Sequence, residues 1–434
     1  PNASPHVGRA RNALIGDAIV RILRFQNYKI ETHYFVNDVG KQIAMLVLAS
    51  KSKKNIKFND LLGIYIKINK ELEKDKQKEK KIFDLLRELE QGNQQVRSKF
   101  KKTVDICVKG QLKIFKELGM NYDYIDYESK YLWNRDTNFI LKKLEKTKRL
   151  FNDEHKRKVL DQKEYKLAMK SPVLVLTRAN GTSLYPLRDI AYTIEKVRKT
   201  PNNLIILGED QKLYFQQIKA VLHLLKFPCP NVIHYSFILL KEGKMSTRKG
   251  NLVLLEEFME EARKKAHEEI KKRKNKITKN LDKIIGYGAL KFSILKIAPE
   301  KNIVFEWEQA LNFEGETSPY IQYAHARICS ILKKIKAPRK VDLSNLYNQY
   351  ELDLITLISN FPNVVNESVK HLKPSLIANY LIDISKSFNS FYASVHVINA
   401  EPHIRDARIL LISAVRQVLE NGLSLLGIEA PQEM

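Results

Sequence analysis

Two kinds of hydrophobic periodicity divide the chain. Near the start, Ala10, Leu14 and Ala18 recur every four residues after a proline-containing segment, which predicts an amphipathic helix beginning close to residue 6. The β-branched and aromatic run 28–36 predicts a strand, followed by a turn and a second helix from about residue 41. This strand–loop–helix order is typical of a parallel α/β sheet, in which ligands collect at the carboxyl ends of the strands.

The segment at about 51–170 interrupts this pattern. It is rich in charges and helix-forming residues, and we interpret it as a helix-rich insertion. Its stretch 71–81 mixes acidic and basic residues, which predicts an exposed helix with ion pairs four residues apart rather than a nucleic-acid site. The acidic and aromatic run 122–128 is expected to be a connection within the insertion, between the two halves of the sheet.

The α/β pattern resumes after the insertion and gives way to a helical region. The expected elements are a strand at 173–177, a turn at 180–181, a return to the sheet at 184–185, a helix at 189–199, a strand at 203–208, a helix at 211–225, a strand at 236–240 and a basic helix at 256–274. From about residue 318 the periodicity is helical throughout, which predicts a bundle of about five helices. The last helix is expected to close at Gly422 or Gly427.

Composition adds a strong charge imbalance. The 434 residues are enough for two or three domains, and 75 Lys and Arg against 49 Asp and Glu leave a net charge of +26. Such a charge favours a polyanionic partner, and nucleic acid is the obvious one. A lysine-rich protein with solvated helices would carry the same excess.

The three cysteines, Cys107, Cys229 and Cys329, lie far apart and form no metal-binding pattern. We therefore expect a reduced, cytoplasmic protein without a structural zinc site. No apolar run approaches the length of a membrane span and no signal peptide is visible, so no membrane partner is expected. The sequence begins at Pro1 rather than Met, and we interpret it as a fragment of a longer chain.

The segment Lys244-Met245-Ser246-Thr247-Arg248-Lys249-Gly250 has the composition of a phosphate-binding loop. Its cations can offset phosphate charge, while its hydroxyls and backbone amides can donate hydrogen bonds. A solvated basic turn would have the same composition. The loop alone therefore does not decide between the two interpretations.

His6 and Gly8 supply a second signal. His6 lies just before or within the first helical turn, where free amides and the helix dipole attract phosphate. Gly8 has no side chain, so a nucleotide could approach the backbone closely. A lone His-x-Gly is weak, but its combination with the basic loop about 240 residues later indicates a nucleotide site.

These two segments resemble the nucleotide-binding signatures of class I aminoacyl-tRNA synthetases, and further segments narrow the resemblance to arginyl-tRNA synthetase. The matching segments are 6–9, 34–42, 180–189, 244–248, 319–327 and the ending 427–434. The resemblance runs nearly end to end and is weakest at about 50–120. It implies a Rossmann-type catalytic domain at 1–255 that contains the helical insertion, a connecting helical segment at 256–312, and an all-α anticodon-binding domain at 313–434.

The family's reaction follows from the resemblance. The protein would activate L-arginine with ATP to arginyl-adenylate, release pyrophosphate, and transfer arginine to the terminal adenosine of tRNA(Arg). Mg²⁺ would accompany ATP, held mainly by phosphate and water, and no metal-binding residues are assigned. The family also has an N-terminal domain that contacts the tRNA elbow and a first sheet strand, and both are expected to be missing here. A monomer is expected.

By resemblance, ATP is bound by His6, Gly8, Arg9, Met245 and Ser246, and the catalytic groups are His6, Lys244, Ser246, Arg248 and Lys249. Two positions depart from the family pattern. Arg9 stands where the family usually has His, close to the arginine substrate, and Thr247 stands where a second lysine is usual. Arg9 is therefore expected to turn toward phosphate or solvent, or else to impair activity.

The resemblance assigns arginine binding to Arg9, Asn37, Gln42, Tyr185, Asp189 and Gln211. A carboxylate that faces a guanidinium can accept two hydrogen bonds from it. Tyr185 and Asp189 are four residues apart at the start of a predicted helix, so both can reach one pocket. Alternatively, Asp189 could cap its helix, Tyr185 could be a core residue and Asn37 could be only a turn residue.

Binding of tRNA is assigned by resemblance to Tyr320, Tyr323, Arg327 and Met434. The first three lie at i, i+3 and i+7, so one helical face offers two rings and a cation on which unpaired bases could stack. A core stripe would have the same spacing.

Two other functions stay open at this point. A synthetase-like paralogue or RNA-binding module could keep the bundle without catalysis. Arg9 and the expected lack of the first strand favour this alternative, and the two nucleotide signatures oppose it. A synthetase for a different amino acid would not need Asp189.

Overall fold

The computed structural model describes residues 5–50, 55–73, 75–133, 135–240, 243–244, 253–273, 280–335 and 341–434. These residues form two compact units. The first contains Pro5, Glu31–Lys116 and Asn121–Tyr235, and the second contains His6–Ile30, Glu117–Met120 and Ser236–Met434. The first helix of the chain therefore belongs to the same unit as the C-terminal helices.

The α-helices, in chain order, are α1 (Val7–Phe25), α2 (Lys41–Ala49), α3 (Asp60–Leu72), α4 (Lys76–Glu90), α5 (Gln94–Glu117), α6 (Lys130–Trp133), α7 (Asp136–Glu145), α8 (Tyr185–Lys199), α9 (Lys212–Leu224), α10 (Leu255–Lys272), α11 (Leu281–Leu295), α12 (Trp307–Ala310), α13 (Ser318–Leu332), α14 (Gln349–Ser359), α15 (Phe361–His371), α16 (Ser375–Ser394) and α17 (Pro402–Leu425). The strands are β1 (His33–Val36), β2 (Tyr124–Tyr127), β3 (Leu150–Asn152), β4 (Lys158–Asp161), β5 (Val173–Val175), β6 (Leu204–Gly208), β7 (Asn231–Tyr235), β8 (Ile238–Leu240), β9 (Gly243–Lys244) and β10 (Ile303–Phe305).

Parallel pairing joins β1 to β2 and β6 to β7 in the first unit, and β8 to β10 in the second. The expectation that 122–128 would be a connection was wrong, because 124–127 form β2 in parallel register with β1. Asp126 can lie in this strand because its carboxylate is satisfied there. It accepts a hydrogen bond from the Tyr192 hydroxyl at 2.7 Å and pairs with His33 Nδ1 at 2.8 Å.

The segment after the insertion also differs from the prediction. Val173–Val175 form a strand as predicted, but β5 pairs antiparallel with β4, which in turn pairs antiparallel with β3. Residues 184–185 do not return to a sheet, because Tyr185 begins α8. Pro186 follows at the second helical position, where its fixed φ suits the first turn and its missing amide is not needed.

The insertion helices share an apolar core with α2, which includes Leu46, Leu61, Leu86 and Phe100. The single helix predicted across 71–81 is two helices, since α3 ends at Leu72 and α4 begins at Lys76. Asp75 accounts for the new start, because its carboxylate accepts hydrogen bonds from two amides of the first turn of α4. The preference of Asp for the N-cap position therefore outweighs the helix propensity of the charged run.

In the second unit, α1 packs against α11, α15 and α17. Arg11 is fully buried on α1, and its guanidinium donates to the carbonyls of Ser236, Lys301 and Ala298 at 2.6, 2.9 and 3.0 Å. These hydrogen bonds attach the helix that follows His6 to the segments that flank β8 and β10.

The described part of 318–434 is helical, as predicted, and α13, α14 and α17 each pack against α16. Gly427, rather than Gly422, follows the end of α17, and its φ of +67° lies in the left-handed region that glycine adopts without strain. Gly422 lies inside the helix, close to Leu381 of α16. In the part of the chain that the structure describes, no helix has the length and apolarity needed to cross a membrane.

Candidate active site

His6 occupies the N-cap of α1 in an extended conformation, with φ −79° and ψ 156°. Its carbonyl accepts hydrogen bonds from the amides of Arg9 and Ala10, and the Val7 amide donates to the Val253 carbonyl at 3.1 Å. The amide end of α1 is thereby fixed beside the segment that follows the basic loop. The positive end of the helix dipole at this position suits a phosphate.

The imidazole of His6 is neutral near physiological pH. Burial, reinforced by the positive charge of Arg9, lowers the pKa of His6 to about 4. Its Nδ1 atom is buried and has no hydrogen-bond partner among the described residues. The neutral ring can therefore accept one hydrogen bond from a ligand or donate one to it.

Gly8 and Arg9 lie in the first turn of α1, and the Arg9 side chain is exposed. Lys244 lies in β9, whose backbone pairs antiparallel with Leu239 of β8. The other predicted members of the basic loop, Met245, Ser246, Arg248 and Lys249, lie outside the described residues.

Tyr185 and Asp189 lie one turn apart at the start of α8 in the first unit, and Tyr214 of α9 joins them. The Tyr214 hydroxyl donates to Asp189 Oδ2 at 2.9 Å, and the rings of Tyr185 and Tyr214 stack with centroids 4.9 Å apart. Asp189 is the fifth residue of α8 and Leu184 is the N-cap, so Asp189 does not cap the helix. The cluster is a carboxylate beside two stacked phenol rings.

Burial controls the electrostatics of this cluster. It raises the pKa of Asp189, and the Asp189 charge adds to burial in raising the pKa of both Tyr185 and Tyr214. Burial also lowers the pKa of Lys196, two turns further along α8, to about 8, while the negative charge of Asp189 opposes that shift. Among the described residues, no lysine or arginine makes an ion pair with Asp189. The carboxylate is therefore desolvated and undercompensated, which favours a cationic ligand.

The other predicted arginine-binding residues of the first unit make no hydrogen bond to the Asp189 cluster among the residues that the structure describes. Asn37 follows the end of β1, and Gln42 lies in the first turn of α2; both are exposed. Gln211 is the N-cap of α9, three residues before Tyr214, and its amide donates to Asp210 at 3.3 Å. Tyr214 was missed from the sequence because a tyrosine inside an apolar helix carries no local signal.

Tyr323 and Arg327 lie on one face of α13, where the guanidinium stacks over two rings. The carbon Cζ of Arg327 is 4.6 Å from the Tyr323 ring centroid and 4.6 Å from that of Tyr392 on α16. Arg327 also donates to Asn389 Oδ1 at 3.1 Å. Tyr320 and Tyr323 are part-exposed and the Tyr392 ring is 44% exposed, so this face is not a core stripe.

The C-terminal segment is held against α13 and α11 through its backbone. Gln322 donates to the Glu429 carbonyl at 2.8 Å, His325 Nδ1 contacts the Pro431 carbonyl at 2.9 Å, and Lys291 donates to the Gly427 carbonyl. Met434 packs against the apolar cluster formed by α10, α11 and neighbouring residues. In the described ranges, no group of three His, Cys, Asp or Glu residues is arranged to hold a metal ion.

Comparison with known proteins agrees with this architecture. Residues 2–307 match the family model for the class I tRNA synthetase (R) catalytic domain, and residues 321–434 match that for the DALR anticodon binding domain. The chain thus has the two domains of a class I aminoacyl-tRNA synthetase.

The proteins that this chain resembles identify its family within this class. The chain is 39% identical to the arginine–tRNA ligase of Methanocaldococcus jannaschii and 36% identical to that of Methanocella arvoryzae, over its whole length and over 78% and 79% of those proteins. Its structure is similar to Thermus thermophilus arginyl-tRNA synthetase, with a TM-score of 0.88 at 26% identity, covering 100% of this chain and 81% of the other. The chain belongs to the arginyl-tRNA synthetase family.

Proposed function

We propose that this chain is an arginine–tRNA ligase, which forms arginyl-adenylate from L-arginine and ATP and then esterifies the terminal adenosine of tRNA(Arg). The single observation that supports arginine most directly is the carboxylate of Asp189 beside the stacked rings of Tyr185 and Tyr214. Tyr214 occupies Oδ2, which leaves Oδ1 for a planar donor. The aromatic rings suit the flat face of a guanidinium.

His6 would act on the ATP side of the reaction. Its neutral imidazole can donate to a phosphate oxygen. The positive end of the α1 dipole favours the negative charge that builds on these oxygens as the arginine carboxylate attacks the α-phosphate. Lys244, Ser246, Arg248 and Lys249 would close over the same phosphates, with Met245 and Gly8 beside the nucleotide. The exposed position of Arg9 supports an orientation toward phosphate or solvent rather than toward the substrate arginine.

Mg²⁺ would be held mainly by the phosphates of ATP and by water, since this small cation keeps several waters and needs no protein cage. Its contribution when bound is neutralisation of phosphate charge. We further propose that the protein acts as a monomer in the cytoplasm.

The face formed by Tyr320, Tyr323, Arg327 and Tyr392 would bind unpaired anticodon bases. Aromatic rings and a guanidinium plane accept stacked bases, and the Asn389 amide could contribute an edge hydrogen bond. Met434 lies in the segment fixed to α13, which supports its assignment to the same partner.

Aminoacylation of total tRNA with radiolabelled L-arginine and, separately, L-lysine tests the proposal. We expect charging with arginine and none with lysine, because a compact, strongly hydrated ammonium has no planar face to stack on the aromatic rings. Binding of tRNA without charging by any amino acid would instead indicate a non-catalytic RNA-binding protein.

A further inference from the structure

Arg11 is a fully buried arginine on α1, just over one helical turn after His6. Removing a guanidinium from water is costly unless it is paired or hydrogen-bonded, so a buried arginine depends on the acceptors that surround it. Hydrogen bonds from a charged donor are roughly twice as strong as those between neutral groups. The acceptors of Arg11 are therefore held firmly in relation to α1.

These acceptors are main-chain carbonyls of two segments that are distant in sequence from α1. Nη1 donates to the Ser236 carbonyl at 2.6 Å and to the Lys301 carbonyl at 2.9 Å, and Nη2 donates to the Ala298 carbonyl at 3.0 Å. Both terminal nitrogens of the guanidinium are thus used. The contacts fix the backbone rather than side chains that could rotate to other positions.

The two segments form the base of the strands that lead to the basic loop. The Ser236 amide donates to the Pro299 carbonyl at 2.9 Å, and the Ser236 hydroxyl donates to the Glu300 carbonyl at 2.8 Å. Strand β8 begins just after Ser236 and pairs with β10, and β9, which contains Lys244, pairs with β8. Arg11 therefore attaches the strand that enters the basic loop to α1.

The segment that leaves the basic loop is attached to the same helix. The Val7 amide donates to the Val253 carbonyl at 3.1 Å, and His6 forms an antiparallel bridge with Leu254. The described segments on both sides of the loop are thus connected to α1, one through the backbone at His6 and the other through Arg11.

This double attachment matters for phosphate chemistry. In the proposed reaction, His6 and the cations of the loop act on the same phosphates, so the distance between them has to be right when the arginine carboxylate attacks. Catalysis of phosphoryl transfer is mainly positioning and electrostatic stabilisation. A misplacement of about 1 Å can lower a rate roughly a hundredfold.

We propose that Arg11 is a positioning residue for adenylate formation, which holds the strand that enters the basic loop at a fixed place relative to His6. This inference rests on the proposed function. It assigns Arg11 no contact with a substrate. Loss of its hydrogen bonds should therefore slow the chemical step and leave the binding of ATP and arginine nearly unchanged.

Arg11→Lys tests this proposal. The substitution keeps the charge, but the donors of an ammonium leave from one atom and do not reproduce the fork of the guanidinium. We expect the single-turnover rate constant for conversion of ATP labelled at the α-phosphate, with arginine and tRNA(Arg) present and enzyme in excess, to fall at least tenfold. This rate constant does not depend on the fraction of molecules that is folded. The dissociation constant for ATP, measured by isothermal titration calorimetry, should stay within threefold of the parent value.

The matched control is Arg408→Lys. Arg408 lies on α17 in the same unit, and its guanidinium donates to Glu351 Oε1 at 2.6 Å and to the His396 carbonyl at 2.8 Å. This variant should lose stability as Arg11→Lys does, but it should keep the parent rate constant. An equal loss of rate in the control would mean that rate follows stability, and this would overturn the inference.

A rate constant within twofold of the parent in Arg11→Lys would also overturn the inference, while the proposed function would stand on the activity of the parent. A parent chain that converts no ATP in response to arginine would instead count against the proposed function itself.

A second measurement uses the unmodified chain, in case Arg11→Lys does not fold. In its crystal structure with arginyl-sulfamoyl adenosine, a stable analogue of the adenylate, we expect Arg11 to keep its hydrogen bonds to the carbonyls of Ser236, Ala298 and Lys301. A bound analogue with Arg11 detached from Ser236 would show that this attachment is not part of the reactive state, and the inference would fail.

Discussion

The carboxylate pocket of the first unit and the aromatic face of the second unit use similar side chains in opposite ways. In the pocket, Tyr185, Tyr214 and Asp189 are half-buried, and desolvation shifts their pKa values away from the charged forms. On the aromatic face, the Tyr392 ring is exposed, and the half-buried guanidinium of Arg327 stacks on it. Desolvation strengthens each interaction with a small ligand, whereas exposed rings accept flexible bases in sequence.

Substitutions in the two sites should therefore have different effects on binding. Removing one charge from the pocket leaves the other buried groups without compensation, so the effect on arginine should be large and confined to arginine. Removing one ring from the exposed face deletes a single stacking contact, so the effect on tRNA should be moderate.

The largest effect is expected for Asp189→Asn. The substitution keeps the shape but removes the charge that faces the guanidinium, and a charged hydrogen bond of about 3 kcal/mol corresponds to roughly a hundredfold loss in kcat/KM for arginine. Steady-state aminoacylation measures it. Asp84→Asn, on the exposed surface of α4 in the same unit, is the control. Near-normal kcat/KM for arginine in Asp189→Asn would mean that Asp189 does not bind the substrate guanidinium.

A smaller effect is expected for Tyr392→Ala and for Tyr320→Ala. Stacking on one ring contributes roughly 1–3 kcal/mol per base, so tRNA affinity should fall about tenfold or more. The salt dependence should keep its slope, because no phosphate contact is removed. Filter binding over a range of salt concentrations measures both, with Tyr347→Ala, an exposed ring elsewhere in the same unit, as control. Unchanged affinity in both variants would remove the aromatic face from the tRNA site.

The smallest effect concerns pH. The pKa of His6, at about 4, lies below the ordinary histidine value of 6.5, so between these values the unfolded chain takes up a proton that the folded chain does not. Stability linked to His6 is therefore fully present above pH 6.5 and is lost as pH falls from there toward 4. The imidazole resonance of His6, assigned with a His6→Gln variant, should not titrate between about pH 6 and 8. A midpoint near 6.5 would mean that the imidazole is solvated.

Local patterns in the sequence predicted most elements of both units, including β6, α9, β8, α10 and the helical C-terminal region. They also predicted that Tyr185 and Asp189 share a pocket, since a spacing of four on a helix fixes that geometry. Strand β2 was missed because Asp126 looks like a loop residue until His33 and Tyr192 are seen to satisfy it.

Tyr214 and Tyr392 could not be found from sequence for a related reason. Tyr214 lies 25 residues from its partner Asp189. Tyr392 reaches Arg327 only because α16 packs against α13. Their roles arise from tertiary contacts, which no spacing rule within one helix or strand encodes.

The most direct test of the account is ATP–pyrophosphate exchange dependent on arginine, measured with and without tRNA(Arg). We predict exchange with arginine and tRNA present, and its abolition when arginine is replaced by lysine. Exchange that is absent with arginine under every condition, in a chain that still binds tRNA, would contradict the assignment of the Asp189 pocket to arginine activation.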